Sequence, residues 1–579
     1  MYIISVHKKL VMSMFKTNSD HLQSDLFDLF SCYPKSFWNQ MKQSEEYCFY
    51  QLIFSKIKEK TFAVLFSSKK SRPNAPINVL VGALILMNRF QWTYEELFKQ
   101  IKFNILIKIA LGLKRLDDIP FCPATIFNFQ NRLNKHFTET GENLLEQVFD
   151  ELTVEQLRKL KIKTNIQRTD SFAAASNIRN YSRLQLLVEL IIRLYRVLSE
   201  EDKQRFSARF ADYLKKSSGQ YIYKIKASDI PHQVEKIGQL YHWIDQNLKS
   251  RYAEHNIFKT FERVYMEHFT VVEEKITVKK PEELTSDCVQ SPDDLDATYR
   301  SKNGKSSKGQ SINVFETANP DNPINLINDV AVNPVNIDDS KVLNNRIDNV
   351  IEKTPDLNEI HFDGAYGSEE NDEKFAEHGI TPIQTAVRGK TTEVEIEINQ
   401  QSETEYIVKC PNQEVKSEAT RTRHKAEFDR TTCDNCVYRE KCPTIVMKNC
   451  RVYYFTHANY VSKKRQKIIT TLPPERRKLR CNVEATVNEF TCRLPKGKLK
   501  VRGAFKTAVF AYCMSISINF GRIYRYLLVN TDLSLRLFYY FGQIFKEQLL
   551  SLVTFLPNSI HPFRKCRICK YGNLLKPCF

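Results

Sequence analysis

Three acidic residues, far apart along the chain, have surroundings suited to metal chemistry. Asp170 closes a strand-like run in RTDSF, and Asp363 closes another in HFDGAYG. Glu484 lies in a helical segment, RCNVEATVNEF, whose apolar stripe consists of Val483, Val487 and Phe490. Carboxylates are the ligands that Mg²⁺ prefers, and two ions roughly 3.5–4 Å apart can clamp the attacking and leaving oxygens of a phosphodiester. The three acids are therefore candidate ligands for phosphodiester chemistry.

Most acidic side chains are surface groups or helix caps, and that is the alternative reading of each acid taken alone. Asp170 and Asp363 stand out because each follows a strand, and the carboxyl edge of a sheet is where α/β proteins place ligand sites. Glu489 is a rival on the glutamate helix. It lies about 140° around the helix from Glu484, so the two cannot share one role.

These acids need a sheet and a covering helix to bring them together. Residues 162–173, QSINVFETA (310–318), INLINDVAV (324–332) and EIHFDGAYGS have strand patterns, and DDSKVLNNRIDNVIEK predicts a helix between the last two. Helical patterns fill residues 20–160, 181–270 and 473–527, and residues 280–310 read as a polar connection. The expected fold is therefore α/β (α+β), a mixed sheet with a helical insertion after its first strand.

Five regions follow from these patterns. They are a helical N-terminal domain (1–160), a domain in three pieces that carries the three acids (161–180, 286–390, 456–530), a helical insertion (181–285), a β-rich cysteine-bearing insertion (391–455) and a C-terminal tail (531–579).

The net charge and the hydropathy of the chain limit the classes of molecule that it can be expected to bind. The net charge is +19 in 579 residues, which favours a polyanionic partner such as DNA, RNA or an anionic membrane surface over a merely basic soluble protein. No apolar run reaches the roughly 18 residues that span a bilayer, and the N-terminal apolar residues are interrupted by charge. We expect a cytoplasmic, nucleoid-associated protein without a membrane partner.

Two cysteine groups suggest metal ligands or reduced thiols rather than disulfides in that compartment. Cys433, Cys436 and Cys442, with Cys410 upstream, could form a tetrahedral set for structural Zn²⁺. The alternative is a set of reduced thiols without metal. A second group near the C-terminus, Cys566, Cys569 and Cys578, lacks an obvious fourth ligand.

Several segments together resemble the DDE transposases of bacterial insertion sequences, specifically the insertion-sequence eleven-eighty-two group. The resemblance runs from about residue 30 to 530 and is carried by KSRPNAPINVLVGALILMNRFQWTYEELFKQI, QRTDSFAAASNIRNYSRLQLLVE, SPDDLDATYRSKNGKSSKGQSINVFETAN, HFDGAYGSEEN and RCNVEATVNEFTCRLPKGKLKVRGAFKTAVFAYCMSISINFGRI. Each motif taken alone is weak evidence for the resemblance, whereas the presence of all of them in this order is specific.

This resemblance implies an RNase H-like catalytic fold with an InsH-type N-terminal domain. Asp170, Asp363 and Glu484 would bind two Mg²⁺ ions, for which Mn²⁺ can substitute. The partners would be the terminal inverted repeats and target DNA, with a homodimer in the synaptic complex. Recognition of the repeats would fall to residues 70–136, where helix IFNFQNRLNKHF offers either a basic DNA-facing surface or an ordinary solvated one.

Related transposases carry a Tyr-x2-Arg-x3-Glu-x6-Lys pattern around the glutamate. Arg480 matches the arginine and is suited to a phosphate near the metals, while Arg477 stands at the tyrosine position and Thr491 at the lysine position. The expected DNA-binding residues are Arg480, Arg477, Lys496, Lys498, Lys500 and Arg502.

The leading hypothesis is an enzyme that cleaves element ends and joins them to target DNA. A decayed or domesticated DNA-binding relative is the first alternative; the intact set of three acids argues against it, whereas the two departures from the pattern argue for it. A nuclease of the same fold, acting on junctions or hybrids, is the second.

Overall fold

The amphipathic N-terminal sequence forms helices that pack around one nearly all-apolar helix. A computed structural model describes residues 15–23, 33–67, 73–215, 217–223, 225–273, 275–302, 304–385, 393–402, 405–494 and 497–530. The helices before the first strand are α1 (Lys35–Lys42), α2 (Glu45–Leu52), α3 (Ile77–Phe90), α4 (Tyr94–Phe103), α5 (Ile105–Ala110), α6 (Pro123–Thr140) and α7 (Leu144–Leu160). All side chains of α3 from Ile77 to Leu86 are buried, as its continuous apolar run predicts.

The first strand, β1 (Ile166–Ala175), is followed by a helical insertion with its own core. The insertion comprises α8 (Arg183–Val197), α9 (Glu200–Leu214), α10 (Ser218–Tyr223), α11 (Ile230–Tyr252), α12 (Asn256–His268) and a hairpin of β2 (Phe269–Val272) and β3 (Lys275–Val278).

The chain then returns to complete the sheet that contains β1. Its remaining elements are β4 (Thr298–Lys302), β5 (Lys305–Thr317), β6 (Ile327–Pro334), α13 (Asp339–Lys353), β7 (Glu359–Phe362), α14 (Glu369–Glu377) and β8 (Thr381–Gln384). The strand order is β4-β5-β1-β7-β8, with β6 also paired to β5. β1 runs antiparallel to β5 and parallel to β7, so it lies at the centre of a mixed sheet.

A second sheet carries the cysteines. Its elements are β9 (Glu397–Gln400), β10 (Tyr406–Lys409), β11 (Glu414–Ala419), β12 (His424–Asp429), α15 (Arg430–Asp434), β13 (Ile445–Val446) and β14 (Cys450–Phe455). The last helices are α16 (His457–Thr471), α17 (Pro474–Cys481), α18 (Val483–Thr491) and α19 (Ala504–Asn530).

The residues divide into one compact unit, Met1–Ile523, and a second, Tyr524–Phe579, of which only the end of α19 is described. The C-terminal cysteines Cys566, Cys569 and Cys578 therefore lie outside the described residues, as does the predicted tail. Among the helices that are described, none is long and apolar enough to cross a membrane.

The predicted fold class is confirmed: a helical N-terminal region, a mixed sheet, a helical insertion after the first strand and a β-rich cysteine-bearing insertion are all present. Two local features were not predicted. The polar stretch at 280–310 contains β4 and the first half of β5, whose side chains are mostly polar and therefore lack an apolar alternation. The helix predicted over 473–527 is interrupted at 492–503, where Gly497 and Gly503 adopt positive φ angles that helical residues do not.

Candidate active site

Asp170 lies in the middle of the central strand. It is opposite Val314 of β5, and its side chain is 15 % exposed. Its Oδ1 accepts a hydrogen bond from the Ser171 amide at 2.9 Å, and its Oδ2 accepts one from Arg480 at 2.8 Å. The strand thus holds a mostly buried carboxylate whose two oxygens have separate donors.

Asp363 follows directly after β7, the parallel neighbour of β1. The paired residues end with Arg168 and His361, so continuing the register by two residues brings Asp363 level with Asp170. The Asp363 Oδ1 accepts from the Ala365 amide at 2.7 Å, which ties the carboxylate to the turn after the strand. The two aspartates therefore lie level with each other on neighbouring strands. Asp363 follows the end of its strand, as the sequence pattern suggested, whereas Asp170 lies within β1 rather than at its end, because the pairing with β5 continues to Ala175.

Glu484 is presented by α18, which packs on β1. Val483, Thr486 and Phe490 are the buried residues of this helix, and the Phe490 ring lies 5.4 Å from that of Phe172. Val487, which the apolar stripe included, is only half-buried, and the polar Thr486 takes the inward position. Glu484 projects from the other side, with its side chain 64 % exposed.

One guanidinium joins the acids. Arg480, one helical turn before Glu484, donates to Asp170 at 2.8 Å and to Glu484 at 2.5 Å. Burial lowers the pKa of Arg480, but Asp170, Asp363 and Glu484 outweigh it, so the pKa of this arginine is raised. All three predicted acids thus act on a single cation. The structure places Arg480 on the carboxylates themselves, whereas the sequence pattern suggested a phosphate contact.

Negative charge at this site is not fully compensated. Burial raises the pKa of Asp170 to about 6; Arg480 and the Ser171 amide oppose this shift, and the carboxylates of Asp363 and Glu484 add to it. Hard oxygen donors with surplus negative charge are the chemistry that Mg²⁺ requires. In the described part of the chain, however, no three His, Cys, Asp or Glu side chains lie close enough together to hold a metal ion. The donor set fits a divalent ion, and Arg480 holds two of its members in the geometry described.

Glu489, the rival acid, has a different environment. Its Oε2 accepts from the guanidinium of Arg522, with the nearest contact at 2.9 Å. Arg522 also reaches the fully buried Glu316 at 2.8 Å. Glu489 therefore belongs to an ion-pair network behind the helix, on the side away from the predicted triad.

The predicted DNA-binding residues after α18 form a strap beside the end of β1. Ala175 and Lys498 form a parallel bridge, and the Lys498 ammonium donates to the Ile178 carbonyl at 2.7 Å. Lys500 donates to the Gln91 carbonyl, and Arg502 donates to the Asn177 carbonyl at 2.7 Å.

At about 3.3 Å per residue, Ala175 lies roughly 17 Å along the strand from Asp170. The strap is thus suited to phosphates several nucleotides from the acids. Lys496 and the side chain of Arg477 lie outside what the structure describes.

Sequence reasoning missed Glu316. This side chain is fully buried and bonded to Arg168, Thr486 and Arg522. The available signal was a single acid inside the apolar strand run INVFETA, since a fully buried carboxylate requires partners.

The four predicted zinc ligands line one small cavity of about 20 Å³, which has room for a single water-sized sphere. The sulfur of Cys410 accepts from the Gln413 amide at 3.2 Å, and that of Cys436 accepts from the Tyr438 amide at 3.4 Å. Burial and the nearby Cys410 and Cys442 raise the pKa of Cys433, against the effect of Arg451. The donors suit zinc, although the sulfurs do not enclose an ion in the geometry described.

A mixed sheet with acids on neighbouring strands, covered by a helix with a third acid, is the architecture of RNase H-like nucleases and transposases. Two family models match this chain: the transposase DDE domain over residues 404–524 and the transposase domain DUF772 over residues 39–132. These matches support a DDE transposase of insertion sequences, and the mixed α/β fold is consistent with the RNase H-like domain of such enzymes. Comparison with curated proteins finds no match, and neither does comparison with solved structures. Membership of the eleven-eighty-two group stays a prediction.

Proposed function

We propose that this transposase cleaves the ends of its insertion element and joins them to target DNA at a site formed by Asp170, Asp363 and Glu484. The observation that supports this most directly is that Arg480 donates hydrogen bonds both to Asp170 of β1 and to Glu484 of α18. The charge of Asp363, in the turn after β7, acts on the same guanidinium. Mg²⁺ bound by these carboxylates would supply activation of the attacking oxygen and stabilisation of the leaving oxygen.

The protein groups have distinct tasks in this proposal. The aspartates are fixed by the sheet and keep their oxygens directed at one volume, and the glutamate closes that volume from the helix. Arg480 neutralises part of their repulsion before DNA binds, and it is one helical turn from Glu484, within reach of a phosphate at the same site. Water attack frees a 3′-hydroxyl, which then attacks a target phosphodiester and displaces the target's own 3′ oxygen.

Basic residues would hold the DNA on either side of the acids. Lys498, Lys500 and Arg502 form the strap, with Lys496 and Arg477 in the same stretch of sequence. Their contacts with phosphates make binding strongly dependent on salt. We further propose that two copies act on the two element ends, that the helical region 1–160 recognises the terminal repeats, and that the protein works in the cytoplasm on the nucleoid.

A nicking assay tests the catalytic assignment. The substrate is a supercoiled plasmid that carries the reading frame with its native flanking DNA. Asp170→Asn, Asp363→Asn and Glu484→Gln are each expected to abolish Mg²⁺-dependent nicking without loss of binding to the flanking DNA. Glu475→Gln is the matched control, because Glu475 is an exposed acid on the adjacent helix.

Full nicking by any of the three variants would remove that residue from the site. A wild-type protein that binds the flanks without nicking them would support the DNA-binding relative instead. Nicking without strand-transfer products would favour a nuclease of the same fold.

We also propose a structural Zn²⁺ ion at Cys410, Cys433, Cys436 and Cys442. The shared cavity and the amide donors to two of the sulfurs support it. Elemental analysis that finds no zinc in correctly folded protein would refute it.

A further inference from the structure

A buried acid connects the strand that carries Asp170 with the helix that carries Glu484. Glu316 lies on β5 directly opposite Arg168, and its side chain has no exposed surface. A register shift between Phe315 and Glu316 in the pairing of β5 with β6 marks a local irregularity at this point. Such irregularities redirect side chains.

The two carboxylate oxygens of Glu316 serve different elements. Oε1 accepts from Arg168 at 2.6 Å, and Arg168 is two residues before Asp170 on the same face of β1. Oε2 accepts from the Thr486 hydroxyl at 2.6 Å, and Thr486 is two residues after Glu484 on α18. Asp170 and Glu484 are therefore each two residues from a direct partner of the same carboxylate.

An arginine of the last helix, α19, completes the hydrogen-bond network around Glu316. Arg522 of α19 donates to Glu316 Oε2 at 2.8 Å and to the Thr486 hydroxyl at 2.6 Å, and it also pairs with Glu489. Arg168 donates in addition to the Leu479 carbonyl at 2.8 Å, next to Arg480. Two acids face two arginines, so the charges of the network balance.

We propose that Glu316 is a positioning residue that sets Glu484 against Asp170, acting through Thr486 and Arg522. This inference rests on the proposed metal site. The physical reason is that ligand geometry must hold within about 0.5 Å, while α18 is short and its glutamate is exposed. Apolar contacts of Val483 and Phe490 hold the helix on the sheet but permit sliding and rotation. The hydrogen bonds that the fully buried carboxylate of Glu316 accepts fix both the position and the rotation of the helix.

The test uses Thr486→Val, which removes one hydroxyl and little volume. Thr491→Val is the matched control, because its hydroxyl bonds only to the Val487 carbonyl of the same helix, at 3.0 Å. Binding of Mn²⁺ to each purified protein is followed by the electron paramagnetic resonance of the free ion. Glu484→Gln identifies the part of the binding that belongs to the acidic site, and Mn²⁺ avoids thiolate sites.

We expect Thr486→Val to weaken this part of the Mn²⁺ binding about tenfold, the lower end of the usual effect of outer partners of metal ligands, with nicking restored at high Mn²⁺. Thr491→Val should behave as the wild type. Arg522→Lys, which keeps the charge but loses the planar fork, should weaken binding in the same direction.

The possible failures are distinguishable. Equal Mn²⁺ affinity in the wild type, Thr486→Val and Arg522→Lys would overturn the positioning role while leaving the acidic site in place. Equal binding by the wild type and Glu484→Gln would instead refute the metal site. A lower melting temperature with unchanged affinity would show that the network is only structural and would also overturn the proposal.

Discussion

Asp170→Asn should make the protein more stable while it removes activity. Asp170 is mostly buried and ionised at neutral pH, and its pKa is raised from 3.8 to about 6, chiefly by burial. The folded state therefore binds the proton more tightly than the unfolded chain does. The contribution of Asp170 to the free energy of unfolding is fully present below pH 4 and declines as the pH rises to about 6. Above that pH the lost free energy stays constant. Asparagine has no charge to bury, so it should escape this loss.

The size of the effect follows from the shift. About two pKa units correspond to about 3 kcal/mol at pH 8, at about 1.4 kcal/mol per unit. At pH 5 the unfolded carboxyl is mostly ionised and the folded one mostly protonated, so the loss is about half as large. If the Met1–Ile523 unit melts cooperatively, its unfolding entropy converts 3 kcal/mol into about 3 °C.

Differential scanning calorimetry of wild type and variant at pH 8 and pH 5, without divalent metal, measures this difference. Titrating groups common to both proteins cancel in the comparison. Glu475→Gln is the control, since replacing an exposed acid usually changes stability by less than about 0.5 kcal/mol. A variant no more stable than the wild type at pH 8, or a gain that does not shrink at pH 5, would refute the electrostatic account of this site.

Three further predictions concern the other groups. Mg²⁺-dependent nicking should decline as the pH falls through about 6, because protonated Asp170 is a poor metal ligand; a rate profile that stays flat down to pH 5 would contradict this. Cys433→Ser should abolish bound zinc and lower the melting temperature, whereas Cys450→Ser, outside the cavity, should retain the metal when assayed by elemental analysis. Lys498→Ala and Lys500→Ala should each reduce the slope of log affinity against log salt by about 1, measured by fluorescence anisotropy, and an unchanged slope would remove that residue from the phosphate contacts.

Local patterns were sufficient for many elements of the fold. The strand predicted at 162–173 is β1, and the helix predicted from DDSKVLNNRIDNVIEK is α13. The buried face of α13 follows its apolar spacing directly, whereas β1 also buries the polar residues Gln167, Arg168 and Thr169, which the sequence pattern does not indicate. The polar half of β5 and the break at 492–503 have no such pattern, because pairing with β4 and positive φ angles at two glycines determine them. The domain boundaries stay predictions.

The candidate site divides in the same way. The pattern around Asp170, Asp363 and Glu484 singled out three acids without any coordinates. The sequence pattern could not show that Glu489 and Glu484 have different contacts. It also favoured Val487 over Thr486 as a core residue. The pairing of Glu489 with Arg522 on a distant helix explains the first point, and the bond from Thr486 to Glu316 explains the second.

The sequence by itself was sufficient to predict the family and the fold class and to single out three candidate acids, because these inferences depend on residue types in a fixed order and on local periodicity. Tertiary structure alone decided that Arg480 joins the acids and that Glu316 lies beneath them with Arg168, Thr486 and Arg522. These residues are separated by as many as 354 positions, between Arg168 and Arg522. Which buried charges meet across such distances depends on how strands and helices pack, and local sequence carries no record of it.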